Sequence, residues 1–165
     1  MSTNWMADIA AMHQKYGVKE VVSNFDKEKL RAFLKFRIDF LQEELDEMKL
    51  AFEEQGENAA DDTVDALIDL CVVAIGTLDL FNVNSYDAWN KVHEANMAKE
   101  VGIKESRPNP LGLPDLIKPD GWEAPTHFDN VGLLEIAFAQ EPVTEEPIVE
   151  ETVAKPVKKK LVKKV

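Results

Sequence analysis

The 165-residue sequence contains few of the residues that break or cross-link a chain. It has seven glycines and eight prolines, and every proline lies after residue 107. Its single cysteine, Cys71, rules out an internal disulfide and is typical of a small core residue in a reducing compartment. Alternating strand patterns of useful length and internal repeats are also missing. The first 107 residues therefore favour helices, and the residues after them favour irregular structure.

Long hydrophobic runs are missing as well. The longest run, Leu70–Ile75, is too short to span a bilayer. Residues 1–17 lack the basic start and the apolar stretch of a secretory signal peptide. We therefore expect a cytoplasmic protein.

Positive charge is scarce and unevenly placed. The formal net charge is −12, and six of the 19 basic residues are lysines in the last eleven positions. Residues 1–154 thus carry 13 positive and 31 negative charges, or −18. A body this acidic repels nucleic acid, so we expect no nucleic-acid binding except through the lysine-rich tail.

Hydrophobic spacing predicts four main helices joined by short connections. They cover residues 4–15, 26–55, from 58 or 61 to 81, and 85–100. Ser23 and Asp26 have the spacing of a capping box, and Asn84 with Asp87 can cap the fourth helix. The pattern predicts an all-α, antiparallel bundle of four to five helices over residues 1–128. That unit includes an irregular proline-rich arm (107–126), and residues 129–165 hold a short element and a disordered, acidic-then-basic tail.

One group of acids shares a face of the second predicted helix. At about 100° per residue, Glu43, Glu44 and Glu47 fall on a single arc, whereas Asp46 points away and is expected in solvent. The third helix carries a second group, Asp62, Asp65 and Asp69, on one arc.

Antiparallel packing of these two helices would bring the acid groups face to face. The neighbouring apolar residues Leu67 and Ile68 indicate that the third helix is buried around its acids. Two carboxylates about 5 Å apart repel by roughly 3 kcal/mol at an effective dielectric constant near 20, so such a group needs protonation or a bridging cation. Oxygen ligands without His or Cys select Mg²⁺ or Mn²⁺. The alternative is an ordinary solvated acidic surface.

Four motifs occur in a recognisable order. They are Glu43-Glu44-x-x-Glu47, Asp65-x-x-x-Asp69, Asn96-x-x-Lys99 and Lys118-Pro119-x-Gly121-Trp122. This order resembles the MazG-like all-α nucleoside triphosphate pyrophosphohydrolases, in the compact phage and bacterial form related to phosphoribosyl-ATP pyrophosphohydrolase. The resemblance spans roughly residues 30–126. The broader pattern has Glu at the position of Ala66, so Asp65 is the expected ligand here, with Asp62 as the alternative.

The resemblance implies an enzyme that hydrolyses a (d)NTP to the (d)NMP and pyrophosphate with Mg²⁺ or Mn²⁺, by attack of water on the α-phosphorus. It favours dGTP or GTP as substrate and a role in nucleotide-pool control, within the host cytoplasm if the chain is phage-encoded; dUTP and phosphoribosyl-ATP are alternatives. The implied catalytic residues are Glu43, Glu44 and Glu47, and the implied metal ligands are these three with Asp65 and Asp69. The implied substrate-binding residues are Arg37, Asn96, Lys99, Lys118 and Trp122.

Several of these residues also have structural interpretations. Arg37 could neutralise a nearby carboxylate, Lys99 could satisfy a helix C-terminus, and Trp122 could fasten the arm to the bundle. A non-enzymatic helical module that binds a metal or a partner is the alternative function. The family resemblance and the surplus apolar residues Phe33, Phe36 and Phe40 predict a homodimer or homotetramer.

Overall fold

The computed structural model describes residues 4–106 and 109–140. Its helices are α1 (Trp5–Tyr16), α2 (Val18–Ser23), α3 (Lys27–Glu54), α4 (Ala59–Leu80), α5 (Ser85–Met97) and α6 (Leu134–Phe138). Two short strands, β1 (Glu100–Gly102) and β2 (Asp115–Ile117), form one antiparallel pair. The predicted helical bundle is confirmed. Within the described ranges, every helix is too short or too polar to cross a membrane.

The long helices α3 and α4 pack against each other along most of their length. The ring of Phe33, near the start of α3, lies 5.9 Å from that of Phe81, which caps the end of α4. One turn further along α3, Arg37 reaches Val73 and Thr77, which lie earlier in α4. Because later positions of α3 meet earlier positions of α4, the pair is antiparallel, as the short connection between them predicts.

The core lies at the end of this pair that is far from the connecting loop. Leu30, Leu80 and Phe81 are fully buried there, together with Val22 of α2. Burying a side chain of this size stabilises the fold by about 1.5–3 kcal/mol. The large apolar side chains are therefore concentrated away from the acids.

Residues after 128 complete this core. Ala137 of α6 is fully buried, and the Leu133 amide donates a hydrogen bond to the Phe81 carbonyl at 2.7 Å. Gly132 has φ +53° and leaves no room for a Cβ beside the Phe81 backbone. Residues on both sides of the predicted boundary at residue 128 therefore pack into the same core.

The start of the chain also differs from the prediction. Gly17, in a left-handed conformation, ends α1, and the unpredicted helix α2 follows it directly. Ser23 lies at the end of α2 and donates its hydroxyl to the Lys19 carbonyl, so it does not start α3. Asp26 alone caps α3, by accepting a hydrogen bond from the Lys29 amide.

The two strands were not predicted either. Each has three residues, which is too short to show alternation in the sequence. Their pairing ends α5 at Met97, earlier than the predicted end near residue 100, and it orders part of the arm. The predicted disordered tail, residues 141–165, lies outside the described residues.

A half-buried aspartate links α1 and α2 to α4. The Asp79 carboxylate lies 2.7 Å from Nδ1 of the buried His13 and accepts a hydrogen bond from Lys19 Nζ at 2.6 Å. Burial acts to raise the pKa of Asp79, but the hydrogen bonds from Lys19 and His13 outweigh it and lower that pKa overall. Asp79 thus stabilises the folded state in its charged form.

Substitution of Asp79 tests this interpretation. We expect Asp79→Asn to lower the free energy of unfolding by about 2 kcal/mol at pH 7, because it removes charge-assisted hydrogen bonds in a part-buried site. Since the folded-state pKa is lowered, this contribution is present above the ordinary aspartate pKa of about 3.9 and is lost as the pH falls below it. Urea unfolding of both proteins from pH 7 to pH 3 measures the difference. Asp39→Asn, which removes an exposed pair with Lys35, is the control and should cost less than about 0.5 kcal/mol. An Asp79→Asn difference that persists unchanged at pH 3 would contradict the assignment.

Candidate functional site

The predicted acids of α3 and α4 lie together. Glu44 is half-buried on α3. Burial and the neighbouring carboxylates of Glu47, Asp69, Glu43 and Asp65 raise its pKa, in that order of importance. Since exposed charges act on each other only within about 10 Å, Asp65 and Asp69 of α4 lie near Glu44 of α3.

Two nearby acids lie outside this group. Asp46 is exposed and accepts hydrogen bonds from Lys49 and Gln42, both at 2.8 Å, which lower its pKa. This confirms the prediction that it points into solvent. Asp65 contributes to the raised pKa of Glu44, whereas Asp62 is not among the main causes of that shift.

The donor set suits a hard divalent cation. It contains carboxylate oxygens alone, and their mutual repulsion is what a bound cation would relieve. Among residues 4–106 and 109–140, no three His, Cys, Asp or Glu side chains converge closely enough to chelate one ion as they stand. Glu43, Glu47 and Asp65 are exposed, so their side chains have the freedom to turn inward.

The burial predicted around the acids of α4 is wrong for the single chain. Leu67 and Ile68 are 47 % and 44 % exposed. They belong to an apolar stripe on α4 that continues through Cys71 and Ile75, which are half-buried beside α1. Cys71, predicted as a core residue, is only half-buried and lines an open apolar groove of about 1140 Å³.

Arg37 is held against α4. Its Nε donates to Thr77 Oγ1 at 3.0 Å and its Nη2 to the Val73 carbonyl at 2.9 Å, and its guanidinium lies over the Phe40 ring. Burial lowers its pKa. No carboxylate of the described residues lies within ion-pair distance of it, so it does not neutralise an acid directly.

The close packing of Arg37 against Gly76 of α4 was not predicted from the sequence. A Cβ on Gly76 would lie 3.2 Å from Arg37 Nη2 and 3.2 Å from His13 Cε1, so only glycine lets both side chains approach α4 this closely. A glycine inside an apolar helix was the available signal. Arg37 lies seven residues, or about two helical turns, before Glu44, so it faces the same way but contacts α4 rather than the acids.

The other four predicted substrate-binding residues form a second cluster, at the end of α5. Lys99 Nζ donates to Asn96 Oδ1 at 2.7 Å. The Trp122 indole N–H donates to the Ala95 carbonyl at 2.7 Å, and its ring lies under both Lys99 and Lys118. The structure therefore brings these residues together, and it supports Trp122 as the fastening of the arm to α5.

The two clusters do not touch in the single chain. Helix α5 makes only slight contact with α4, and its residues Trp89 and Met97 are 61 % and 73 % exposed. His93 is exposed and stacks on Trp89. The acids and the lysines are thus two separate sites within the described residues.

The segment that carries the acids matches a known protein family. Residues 18–96 match the family of phosphoribosyl-ATP pyrophosphohydrolases. The matched family belongs to the MazG-like nucleoside triphosphate pyrophosphohydrolases. The match indicates a pyrophosphohydrolase that acts on a nucleotide-like substrate. It contains all five acids, Arg37 and Asn96, and it ends before Lys99. No curated protein matches the chain.

Removal of the Glu44 charge should stabilise the metal-free protein. The raised pKa of Glu44 means that its charged form disfavours folding, so Glu44→Gln should increase stability at pH 7.5 by about 0.3 kcal/mol, a small value because solvent screens the site. The gain should vanish as the pH falls through the raised pKa and should shrink in 1 M NaCl. Chemical unfolding with EDTA present measures it.

The adjacent Asp46 provides a control of opposite sign. Because Lys49 and Gln42 lower the pKa of Asp46, Asp46→Asn should destabilise the protein slightly. If both substitutions changed stability in the same direction, the burial and carboxylate repulsion that raise the pKa of Glu44 would not explain the change in stability.

Proposed function

We propose that this protein is a Mg²⁺- or Mn²⁺-dependent hydrolase that converts a nucleoside triphosphate to the monophosphate and pyrophosphate. The observation that carries the proposal is the placement of acids from two helices around Glu44. The family match supplies the reaction class. A solvated acidic surface without function would not need carboxylates from α3 and α4 on one side of the helix pair.

The residues divide into two roles. Glu44, Glu47, Asp65 and Asp69 would hold the cation, and Glu43, on the same arc of α3, would orient the attacking water and accept its proton. When bound, the cation supplies positive charge for the triphosphate and makes that water more acidic. The water oxygen bonds to the α-phosphorus while the bond from that phosphorus to the bridging oxygen breaks, and pyrophosphate leaves.

A purine triphosphate, dGTP or GTP, is our proposed substrate, in nucleotide-pool control or phage replication. The Gly121-Trp122 arm resembles the arm of phage MazG-like proteins for which a purine triphosphate is expected, and this supports the preference. Trp122 is engaged by Ala95 and two lysines, so we assign base recognition to other residues. Phosphoribosyl-ATP, the substrate in the name of the matched family, and dUTP are the competing substrates.

Product analysis tests the reaction. With Mn²⁺ and a panel of NTPs, dNTPs and phosphoribosyl-ATP, we expect chromatography to show a monophosphate and pyrophosphate from at least one substrate. Glu47→Ala should reduce the rate by at least about 100-fold, because it removes a ligand of the cation. Asp46→Asn should keep a rate near that of the wild type, since Asp46 lies outside the group. Orthophosphate as the product would contradict the bond assignment, and no turnover of any substrate would favour the non-enzymatic module.

We also propose that the protein is a homodimer or homotetramer through the apolar stripe of α4. Val64, Leu67 and Ile68 are exposed, and Ile75 lies between two apolar cavities walled by α1 and α5. Monomeric proteins rarely expose so continuous a strip of large apolar side chains. Of the three phenylalanines first considered for an interface, Phe33 packs against the core and only Phe36, at 49 %, is exposed, so α4 is the better surface.

Light scattering tests this assembly. The wild type should have a mass of two or four times 18.6 kDa, and Ile75→Lys should shift it toward the mass of one chain. Val21→Lys, at an exposed apolar position of α2 outside the stripe, should leave the mass unchanged. A wild-type mass of 18.6 kDa would contradict the proposal.

A further inference from the structure

Arg37 makes the hydrogen bonds that join α3 to α4 near the acids. Its Nε donates to Thr77 Oγ1 at 3.0 Å, and its Nη2 donates to the Val73 carbonyl at 2.9 Å. From residue 34 to the end of α3, no other side chain makes a hydrogen bond or an ion pair to α4 in the part of the chain that the structure describes. Arg37 is therefore the directional link between the two helices that carry the acids.

Small apolar side chains fill the interface between Arg37 and the connecting loop. Ala51 of α3 and Ala66 of α4 are buried there. Apolar burial stabilises a helix pair, but it is non-directional. A hydrogen bond, by contrast, forms only within a narrow range of distance and angle. The packing thus holds the two helices together, and the bonds of Arg37 determine their register.

The guanidinium of Arg37 is occupied by its contacts with the helix pair. Its Cζ lies 5.7 Å from the centre of the Phe40 ring, and a Cβ on Gly76 would approach its Nη2 to 3.2 Å. The Val73 carbonyl also accepts a hydrogen bond from the Thr77 hydroxyl at 2.7 Å, so Arg37 binds a group that is already tied into α4. The side chain is therefore committed to the helices rather than to a substrate.

The acids lie within about two helical turns of these bonds. Glu44 follows Arg37 by seven residues, or about 10 Å of α3, and Asp69 precedes Val73 by four residues, or about 6 Å of α4. A slip of one residue between the helices would move their acids past each other by about 1.5 Å. Mg²⁺ holds its oxygen ligands at about 2.0–2.1 Å in a near-octahedral arrangement. A cation shared by α3 and α4 thus requires a register that is fixed to less than one residue.

We propose that Arg37 is a positioning residue for the cation site. Its bonds to Val73 and Thr77 set the register at which Glu44 and Asp69 lie near each other, and it acts through the two helices without contacting the cation or the substrate. The cation itself rests on the proposed function, whereas the hydrogen bonds of Arg37 do not. This role differs from the substrate contact that the family resemblance implies for Arg37.

Mn²⁺ binding without substrate tests this role, because charge and position predict opposite results. Arg37→Met removes a positive charge near the acids, so by charge alone it would strengthen Mn²⁺ binding. Loss of the register should instead weaken binding roughly tenfold, as happens when the support of a metal ligand is removed. Arg37→Lys keeps the charge but offers one nitrogen for two acceptors, and we expect a similar loss. Electron paramagnetic resonance of free Mn²⁺ measures the dissociation constants.

Arg31 provides the matched control. It is an arginine of the same helix that donates to the Ala137 carbonyl at 3.3 Å and lies over the Phe138 ring. Its contacts thus reach α6 rather than α4, and it lies about 20 Å along α3 from Glu44, beyond the range of a screened charge. Arg31→Met should therefore change the Mn²⁺ dissociation constant less than about twofold.

Thr77→Val tests the same bond from the side of α4. It removes one acceptor of Arg37 and should weaken Mn²⁺ binding about threefold. In the Arg37→Met background it should cause no further loss, because the bond is already missing. Circular dichroism checks that each variant is folded at the assay temperature, and Thr77→Val alone decides the role if Arg37→Met does not fold.

The outcomes separate this role from the proposed reaction. If the wild type binds Mn²⁺ and folded Arg37→Met binds it equally well or better, the positioning role is wrong, and a raised KM in that variant would indicate a substrate contact instead. Equal losses in Arg31→Met and Arg37→Met would also overturn it. A wild type that binds Mn²⁺ and loses affinity in Arg37→Met, but hydrolyses no nucleotide, supports the role and overturns the proposed reaction. A wild type that binds no Mn²⁺ overturns the cation site and the positioning role together.

Discussion

The antiparallel packing of α3 on α4 is the constraint on which the rest of the structure depends. It fixes which residues of the two helices meet. It also places the large buried side chains at one end of the helix pair and the acids toward the other end. At the end far from the connecting loop, Leu30 and Phe81 are fully buried and α6 closes over them. Toward the loop, the small residues Ala51 and Ala66 fill the interface. The large core side chains therefore stabilise a pair whose other end brings acids together.

Exposure makes this collection of acids tolerable. Glu43, Glu47 and Asp65 stand in water, which screens their charges, and Glu44 combines burial with nearby carboxylates, which raise its pKa. The folded state without a cation thus bears a modest electrostatic cost. A cation would convert that cost into binding energy, because its charge is opposite to the one that the helices concentrate. The same residues then disfavour the empty state and favour the loaded one.

Local signals were enough to predict most of the helices and the acid group. Asn84 caps α5 through its own side chain, and the arcs of α3 and α4 follow from the helical repeat. Contacts between distant residues were not predictable in this way. The buried position of Ala137 depends on Phe81, more than fifty residues earlier, and strands of three residues carry no period. The apolar pattern at Leu67 and Ile68 predicted a buried face, and both side chains are exposed in the single chain.

The position of α5 depends on residues beyond the family match. The helix makes slight contact with α4 and is instead tied to the arm and to the segment before α6. Lys91 pairs with Asp129 at 2.7 Å, Asn130 bonds the backbone of Asn84, and Trp122 bonds Ala95. The segment after residue 96 therefore determines where Asn96 and Lys99 stand relative to the acids. The acids thus lie inside the matched segment, whereas Lys99, Lys118 and the contacts that position them lie after it.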